Sequence, residues 1–189
     1  MRRPLLASLC FALVVALGVV AVPGVGYGAS SVDVSASFTV TGTTVAFCTP
    51  TPTPQFSEVA KASGSTIYQA TTPLDVCNDE SGGWNISASM TPFTNGSATV
   101  DNATVSVDST PSDTCDAHSN CITADNLVSY PYVMPIGIPL PPVTRLFDAA
   151  AGSGTGSQTV TPTWTLTVPG GVPPGYYLSD WTITLVSGP

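Results

Sequence analysis

The sequence predicts an all-β protein, an antiparallel immunoglobulin-like β-sandwich with Greek-key connections. Short segments alternate polar and apolar residues at the period of a β-strand. Turn-forming residues separate these segments, and the chain holds 17 glycines and 18 prolines, which suits many short strands. No stretch keeps a helical period over several turns, so a helical bundle or a series of βαβ units is disfavoured.

The first residues have the form of a secretory signal. Arg2 and Arg3 precede an apolar run at residues 5–22, and small residues follow as far as Ser30. We therefore expect a signal peptide at residues 1–29 and a single β-sandwich domain at residues 30–189. The alternative is an uncleaved anchor, because a transmembrane helix needs about 20 apolar residues. No second apolar run is long enough to span a membrane, so the mature chain is expected to be secreted and not membrane-spanning.

Few positive charges remain after that segment. Lys61 and Arg145 are then the only strong cations beside twelve carboxylates, which gives a net charge of about −10. A surface this acidic repels the phosphates of nucleic acids and the headgroups of anionic membranes. Nucleic acid is therefore not an expected partner.

Four cysteines lie in the expected mature chain, at Cys48, Cys77, Cys115 and Cys121. An even number of cysteines in an exported chain predicts two disulfides. The sequence leaves three pairings open. The preferred pairing joins Cys115 to Cys121 as a local loop closure and leaves Cys48 to pair with Cys77.

The predicted elements follow in chain order. Alternation predicts strands at residues 32–40, 43–47, 66–70, 84–90 and 100–107, with three X-Pro pairs after the second and an Asn-Gly turn before the last. Residues 108–126 are polar and predict an insertion loop closed by its own disulfide. Residues 128–142 are apolar but rich in proline, which predicts an edge strand or a covered extended segment. A short strand or turn at residues 143–147 leads into a Gly/Ser-rich run at residues 148–157, a predicted flexible connector.

The last thirty residues organise the predicted fold. Two alternating runs at residues 160–168 and 177–186 flank the sequence PGGVPPG, and we interpret them as neighbouring strands joined by a loop. Alternation directs Trp164 and Trp181 into one interior. Four aromatic residues are candidates either for the core or for an envelope-binding platform: Trp84, Trp164, Tyr177 and Trp181. A core position is preferred, since a binding platform needs exposed rings.

Two short motifs carry a family resemblance. An inner strand of the form Gly-Trp-x-aliphatic, and a C-terminal strand running from Gly-x-Tyr to Trp-x-Leu and a proline, are matched at Gly83, Trp84, Ile86, Gly175, Tyr177, Leu185 and Pro189. On these positions residues 75–189 resemble the WxL-type surface domains of Gram-positive bacteria. The tryptophan of the terminal motif is Ile183 here, and Trp181 lies two residues earlier on the same strand face.

The resemblance implies a secreted, non-catalytic protein of the cell surface. Proteins of this type are retained without a covalent bond, through peptidoglycan, and assemble with other surface proteins, so a cell-wall glycan or such a protein is the expected partner. A second hypothesis is a polymerising, pilin-like or fimbrial subunit that self-assembles when a neighbour's strand completes its sheet edge, with residues 31–40 as the candidate donor. A secreted hydrolase ranks far behind both.

Catalytic and metal-binding groups are scarce. His118 is the single histidine, and it lies on the polar loop between Cys115 and Cys121, whose spacing would also suit three zinc ligands. A fourth ligand is not apparent, and an exported chain favours the disulfide. We therefore expect no catalytic residue, no metal site and no cofactor.

Two polar patterns have alternative interpretations. Carboxylates that could offer oxygens to Ca²⁺ cluster at Asp75, Asp79 and Glu80 and at Asp113, Asp116 and Asp125. Neither cluster has the dense alternation of an EF-hand loop, so a solvated acidic surface is preferred. N-x-[ST] sequons begin at Asn85, Asn95 and Asn102 and would be glycan acceptors only in a host with the exported glycosylation machinery.

Overall fold

A computed structural model describes residues 32–41, 45–62, 64–117 and 119–188. Within these ranges the protein is all-β, so no described segment forms a helix long and apolar enough to cross a membrane. The strands are β1 (Val32–Thr41), β2 (Val45–Phe47), β3 (Ser57–Ala62), β4 (Ser65–Thr71), β5 (Leu74–Asn78), β6 (Trp84–Met90), β7 (Thr104–Val107), β8 (Ser112–Cys115), β9 (Tyr132–Val133), β10 (Thr144–Ala149), β11 (Gly156–Thr161), β12 (Thr163–Pro169) and β13 (Tyr177–Ser187). The expected signal peptide and His118 lie outside the described residues.

The strands form three sheets. Sheet A has the order β1-β13-β6-β10, sheet B the order β2-β5-β11-β8, and sheet C the order β3-β4-β12-β7-β9. Every pair of these strands is antiparallel except one, since β1 runs parallel to β13. The prediction of an all-β protein built from antiparallel sheets is confirmed.

An aromatic core joins sheets A and C. Trp164 of β12 meets Trp181 of β13 edge to face, with ring centroids 5.0 Å apart. Trp84 of β6 stacks on Phe147 of β10 at 5.3 Å. The three tryptophans are 0% exposed, and Tyr177 is 2% exposed. Together these rings remove a large apolar area from water, which is the main favourable contribution to folding.

Strand β6 is the most enclosed element of sheet A, because all seven of its residues are buried. It lies between β13 and β10, and its apolar face carries Trp84 and Ile86. On its other face Asn85 and Ser87 form side-chain hydrogen bonds, whereas the Ser89 hydroxyl is buried without a partner among the described residues. Ser87 donates to Asn85 Oδ1 at 3.2 Å, and Asn85 Nδ2 donates to the Gly188 carbonyl at 3.0 Å. This face is therefore buried although its side chains are polar.

The two C-terminal runs, which the sequence predicted as neighbouring strands, do not pair with each other in the structure. Pro162 divides the first run into β11 and β12, because proline has no N–H for the ladder and so ends strand pairing. Strands β12 and β13 belong to different sheets, so the PGGVPPG loop crosses from sheet C to sheet A. The two tryptophans still share one interior because the sheets face each other there.

The Gly/Ser-rich run at residues 148–157 is ordered, and the expectation of a flexible connector was wrong. The Gly154 carbonyl accepts a hydrogen bond from Trp84 Nε1 at 2.7 Å and from Asn78 Nδ2 at 2.9 Å. Gly154 has φ +66°, and a Cβ there would lie 2.6 Å from Trp84 Nε1. The glycine is therefore needed for close approach to the indole, a use that composition does not distinguish from flexibility.

The polar segments also contain strands that alternation missed. Strand β3 is an edge strand whose ion pair, Lys61 to Glu58 at 3.5 Å, lies at the surface. Charged side chains are common on such edges because they oppose pairing with other chains. Strand β8 lies inside the predicted insertion loop and pairs with β11. The proline-rich segment contributes β9, an edge strand of sheet C.

Replacing Trp181 tests the aromatic core. We expect Trp181→Ala to lower the free energy of unfolding by about 3–5 kcal/mol, because it leaves a cavity beside Trp164. The control Tyr176→Ala removes a ring that is 44% exposed and should change stability by less than about 1 kcal/mol. Urea unfolding followed by circular dichroism measures both. Equal losses in the two variants would contradict the core assignment.

A pair of glycine variants tests close packing next to β6. Gly83 and Gly96 both have positive φ, at +79° and +84°. A Cβ at Gly83 would lie 2.4 Å from the Ala149 carbonyl oxygen, whereas nothing lies within 4 Å of one at Gly96. We expect Gly83→Ala to cost on the order of 2 kcal/mol more than Gly96→Ala, since only the first adds a backbone clash to the φ strain. Matching thermal unfolding curves for the two variants would refute this.

Candidate functional site

The cysteines pair as the sequence favoured, Cys48 with Cys77 and Cys115 with Cys121. The first disulfide ties the chain after β2 to β5, and the second closes the loop after β8. Cys115 and Cys121 are therefore committed to each other rather than to zinc. Across the described ranges no three His, Cys, Asp or Glu side chains come together as a metal site would require.

The structure joins one carboxylate from each acidic cluster on sheet B. Ser157 Oγ donates to Asp116 Oδ2 at 2.5 Å, and Thr159 Oγ1 donates to Oδ1 at 3.0 Å. The hydrogen bond from Ser157, supported by that from Thr159, lowers the pKa of Asp116. Burial raises the pKa of Asp75, and the negative charge of Asp116 raises it further, against a hydrogen bond from Thr49. The pKa values of the two carboxyls are thus shifted in opposite directions, a pattern that the linear spacing of the clusters did not reveal.

A third carboxylate, Asp113 on β8, points towards the interior. Its Oδ2 accepts the Ala124 N–H at 2.6 Å, while its Oδ1 is buried without a hydrogen-bond partner among the described residues. Burial raises the pKa of this carboxyl. Gln158 on the neighbouring strand is 0% exposed, and its two amide atoms also lack partners within the described ranges. These polar groups destabilise the fold, since buried groups without partners lose their hydration.

Both strong cations of the expected mature chain are engaged in ion pairs. Lys61 pairs with Glu58, and Arg145 Nη1 lies 2.6 Å from Asp148 Oδ2, on a side chain that is 7% exposed. A site for an anionic substrate normally presents cations towards the ligand. Each cation therefore already has a carboxylate partner, and both side chains remain accessible at the surface.

Sheet C carries an open groove with neutral, polar walls. Its volume is about 280 Å³, and Val59 is its one large aliphatic residue. Hydroxyl and amide side chains form the rest of its rim, at Gln55, Ser57, Gln69, Thr71 and Thr163. Gln69 Nε2 donates to Thr165 Oγ1 at 3.5 Å, which continues the polar row along β12. Uncharged donors and acceptors of this kind suit a hydroxyl-rich, neutral ligand.

A second cleft, of about 110 Å³, lies beneath the PGGVPPG loop. Tyr68, Phe93 and Tyr177 contribute aromatic rings to its lining, and Val168 and Val172 are among the other lining residues. Tyr177 donates its hydroxyl to the Pro173 carbonyl at 3.0 Å, so the ring holds the loop over the cleft. The volume suits a single apolar side chain or methyl-bearing group rather than a whole small molecule.

The four aromatic candidates do not form a binding platform. All are buried, and only Tyr177 lines a cleft. Among the sequons, Asn85 is buried with its amide nitrogen bonded to Gly188, which leaves no accessible acceptor nitrogen in the folded protein. Asn95 lies in an exposed turn, where its Oδ1 accepts the Ala98 N–H at 2.8 Å. Asn102 also lies in an exposed turn.

The buried carboxyl predicts a pH-dependent stability. A raised pKa means that the folded state favours protonated Asp113, so this contribution is complete below the ordinary pKa of 3.8 and is lost as the pH rises through the folded value. Asp113→Asn keeps an oxygen for Ala124 and carries no charge. We expect it to melt at a higher temperature than the parent at neutral pH, with the difference shrinking towards about pH 4. Differential scanning calorimetry across this range measures the effect.

The control is Asp101→Asn, which removes the same charge from an exposed turn. It should leave the shape of the stability profile unchanged, because its side chain is exposed rather than enclosed beside a backbone N–H as Asp113 is. A profile for Asp113→Asn that runs parallel to the parent's would show that this carboxyl does not pay a desolvation cost.

Comparison with known proteins does not assign a function to these features. No protein-family model matches the chain, and no curated protein is significantly similar to it in sequence. The groove on sheet C, the aromatic cleft and the carboxyl pair on sheet B are therefore interpreted from their own chemistry.

Proposed function

We propose that the chain is a secreted, non-catalytic cell-surface protein, WxL-like, held to the cell envelope without a covalent bond through a cell-wall glycan or other surface proteins. We also propose that the strands form an immunoglobulin-like sandwich with Greek-key connections. The supporting observation is that the two motifs of the resemblance meet in space. Strand β6 pairs with β13, which places Ile86 opposite Leu185 and Trp84 opposite Ser187.

The contacts of individual motif residues explain why these residue types are needed at their positions. Gly83 lacks room for a side chain beside the Ala149 carbonyl, and Trp84 needs the Gly154 carbonyl as an acceptor. Ile183 occupies a fully buried position of β13, and Trp181 fills the core one alternation earlier. The departure from the family pattern at residue 183 thus moves the large ring along the strand and keeps it on the same face.

A binding role fits the distribution of charge better than catalysis does. The strong cations of the expected mature chain are in ion pairs, and within the carboxyl pair on sheet B Asp116 accepts hydrogen bonds from the Ser157 and Thr159 hydroxyls. Acid–base catalysis needs groups that face a substrate and exchange protons with it. The two disulfides fit an oxidising compartment outside the cell.

The groove on sheet C is the proposed contact for a cell-wall glycan. Its hydroxyl and amide groups can donate to and accept from sugar hydroxyls, and its lack of charge avoids the cost of desolvating an ion. The acidic remainder of the surface would repel anionic wall polymers such as polyphosphates. The favoured partner is accordingly a neutral glycan strand rather than an anionic polymer.

Sedimentation with purified Gram-positive cell walls tests this function. We expect saturable binding by the exported protein and a loss of at least about tenfold in affinity for Gln69→Ala combined with Thr163→Ala, because several hydrogen bonds to the glycan disappear. Asn120→Ala is the matched control, since it removes an exposed amide from the disulfide loop instead. Binding that is absent in the parent would overturn the envelope role. Equal binding by all three proteins would move the contact away from the groove.

A second function, a polymerising subunit of a surface fibre, is favoured by one specific observation. The first strand lies at the edge of sheet A and is paired only with β13. An edge strand of this kind is an element that strand-exchange assemblies donate to a neighbour. Size-exclusion chromatography of the exported protein separates the two functions, since wall binding by a monomer favours the first and large assemblies favour the second.

A further inference from the structure

Strand β1 has an unusual place in the fold. All ten of its residues pair with β13, from Val32 opposite Tyr177 to Thr41 opposite Val186. It is the only one of the described strands that runs parallel to its neighbour, and β13 is its single neighbour. Strands β1 and β13 are also the first and last described strands, so this pairing closes the sheet across nearly the whole chain.

The register of this pair matches the alternation of the two sequences. The apolar residues Ala36, Phe38 and Val40 lie opposite Trp181, Ile183 and Leu185. All three of these β13 side chains are 0% exposed. A shift by one residue would place serine or threonine of β1 at these positions, so the register is strongly specified.

Few covalent links connect β1 to the remainder of the described fold. Strand β2, which follows it, belongs to sheet B, and the first disulfide begins at Cys48, beyond β2. No disulfide therefore crosses from β1 to the rest of the described chain. The expected cleavage near residues 28–30 would place the new amino terminus just before β1, which frees one end of the strand.

The β13 edge needs an occupant. Without β1, the backbone N–H and C=O groups along one side of β13 would have no partners in sheet A. An open edge of this length is a template for pairing with another chain. The β1 of a second copy is the occupant that offers the same ten residues in the same register.

We propose that β1 is exchanged between copies of this chain, so that β1 of one molecule occupies the β13 edge of another in the parallel register seen within one molecule. The inference rests on the second proposed function, self-assembly, and supplies its mechanism. The exchanged form keeps the strand pairing and the register of the monomer, so the cost of forming it includes the loss of freedom on association.

Single cysteines on the two strands detect the exchange. Thr39 lies opposite Thr184, and parallel neighbours at this spacing are within reach of a disulfide. One variant carries Thr39→Cys and the other carries Thr184→Cys. They are unfolded together in urea with their native disulfides intact, refolded together and oxidised. A covalent dimer containing one copy of each variant is the expected product.

Two controls make the result specific. The mismatched mixture of Ser35→Cys with Thr184→Cys keeps the strand face but displaces the cysteine by four residues, about 13 Å, so at least about tenfold less dimer is expected. The double variant Thr39→Cys/Thr184→Cys in one chain should cross-link within the monomer. That product shows that both substitutions preserve the fold and the register.

The outcomes separate the inference from the function on which it rests. Dimer from the matched mixture alone supports strand exchange. Equal dimer from the matched and mismatched mixtures would indicate random collision and overturn it. Large species in size-exclusion chromatography without the matched dimer would leave self-assembly standing and remove strand exchange. Monomers throughout, with no mixed dimer, would overturn both.

Discussion

The hydrogen bond from Trp84 to the Gly154 carbonyl is the contact on which the surrounding structure depends. An indole N–H enclosed in an apolar core is stabilised by an acceptor, because an unbonded one loses its hydration without compensation. Gly154 provides that acceptor and also receives Asn78 Nδ2. Since Trp84 belongs to sheet A and Asn78 to sheet B, one carbonyl fixes two sheets relative to each other. Its segment can approach this closely only because residue 154 has no side chain.

This constraint explains which parts of the fold could be predicted from the sequence. Period-2 alternation predicts strands with one buried face, such as β4 and β13, and the tryptophans predict the core. The Gly/Ser-rich segment does not, because the same glycines suit a flexible linker and a tight approach to an indole. Strand β3 was missed because its charged edge carries no apolar alternation. Strand β5 was missed because its buried positions are both apolar, at Leu74 and Val76, and polar, at Asn78.

The candidate sites depend even more on contacts between distant residues. Asp75 and Asp116 belong to separate clusters in the sequence, and only the pairing of β11 with both β5 and β8 brings them together. The groove on sheet C likewise draws Gln69 and Thr163 from strands almost a hundred residues apart. No local pattern encodes such meetings, whereas the cysteine spacing predicted a local disulfide because the contact itself is local. Local sequence therefore predicted several strands and the local disulfide, whereas the residues of these surfaces are brought together only by the topology.

The parallel pairing of β1 links assembly to the place where the protein is expected to act. In the proposed exchange, a molecule's own β1 and the β1 of a neighbour compete for the β13 edge. The closed monomer and the exchanged form contain the same strand pairing. Their balance then depends on concentration, because only the exchanged form requires a second copy. Chains held at an envelope by a groove on sheet C would be confined to a thin layer, which raises their effective concentration. The binding surface on sheet C and the exchangeable edge of sheet A would thus reinforce each other without any direct contact between them.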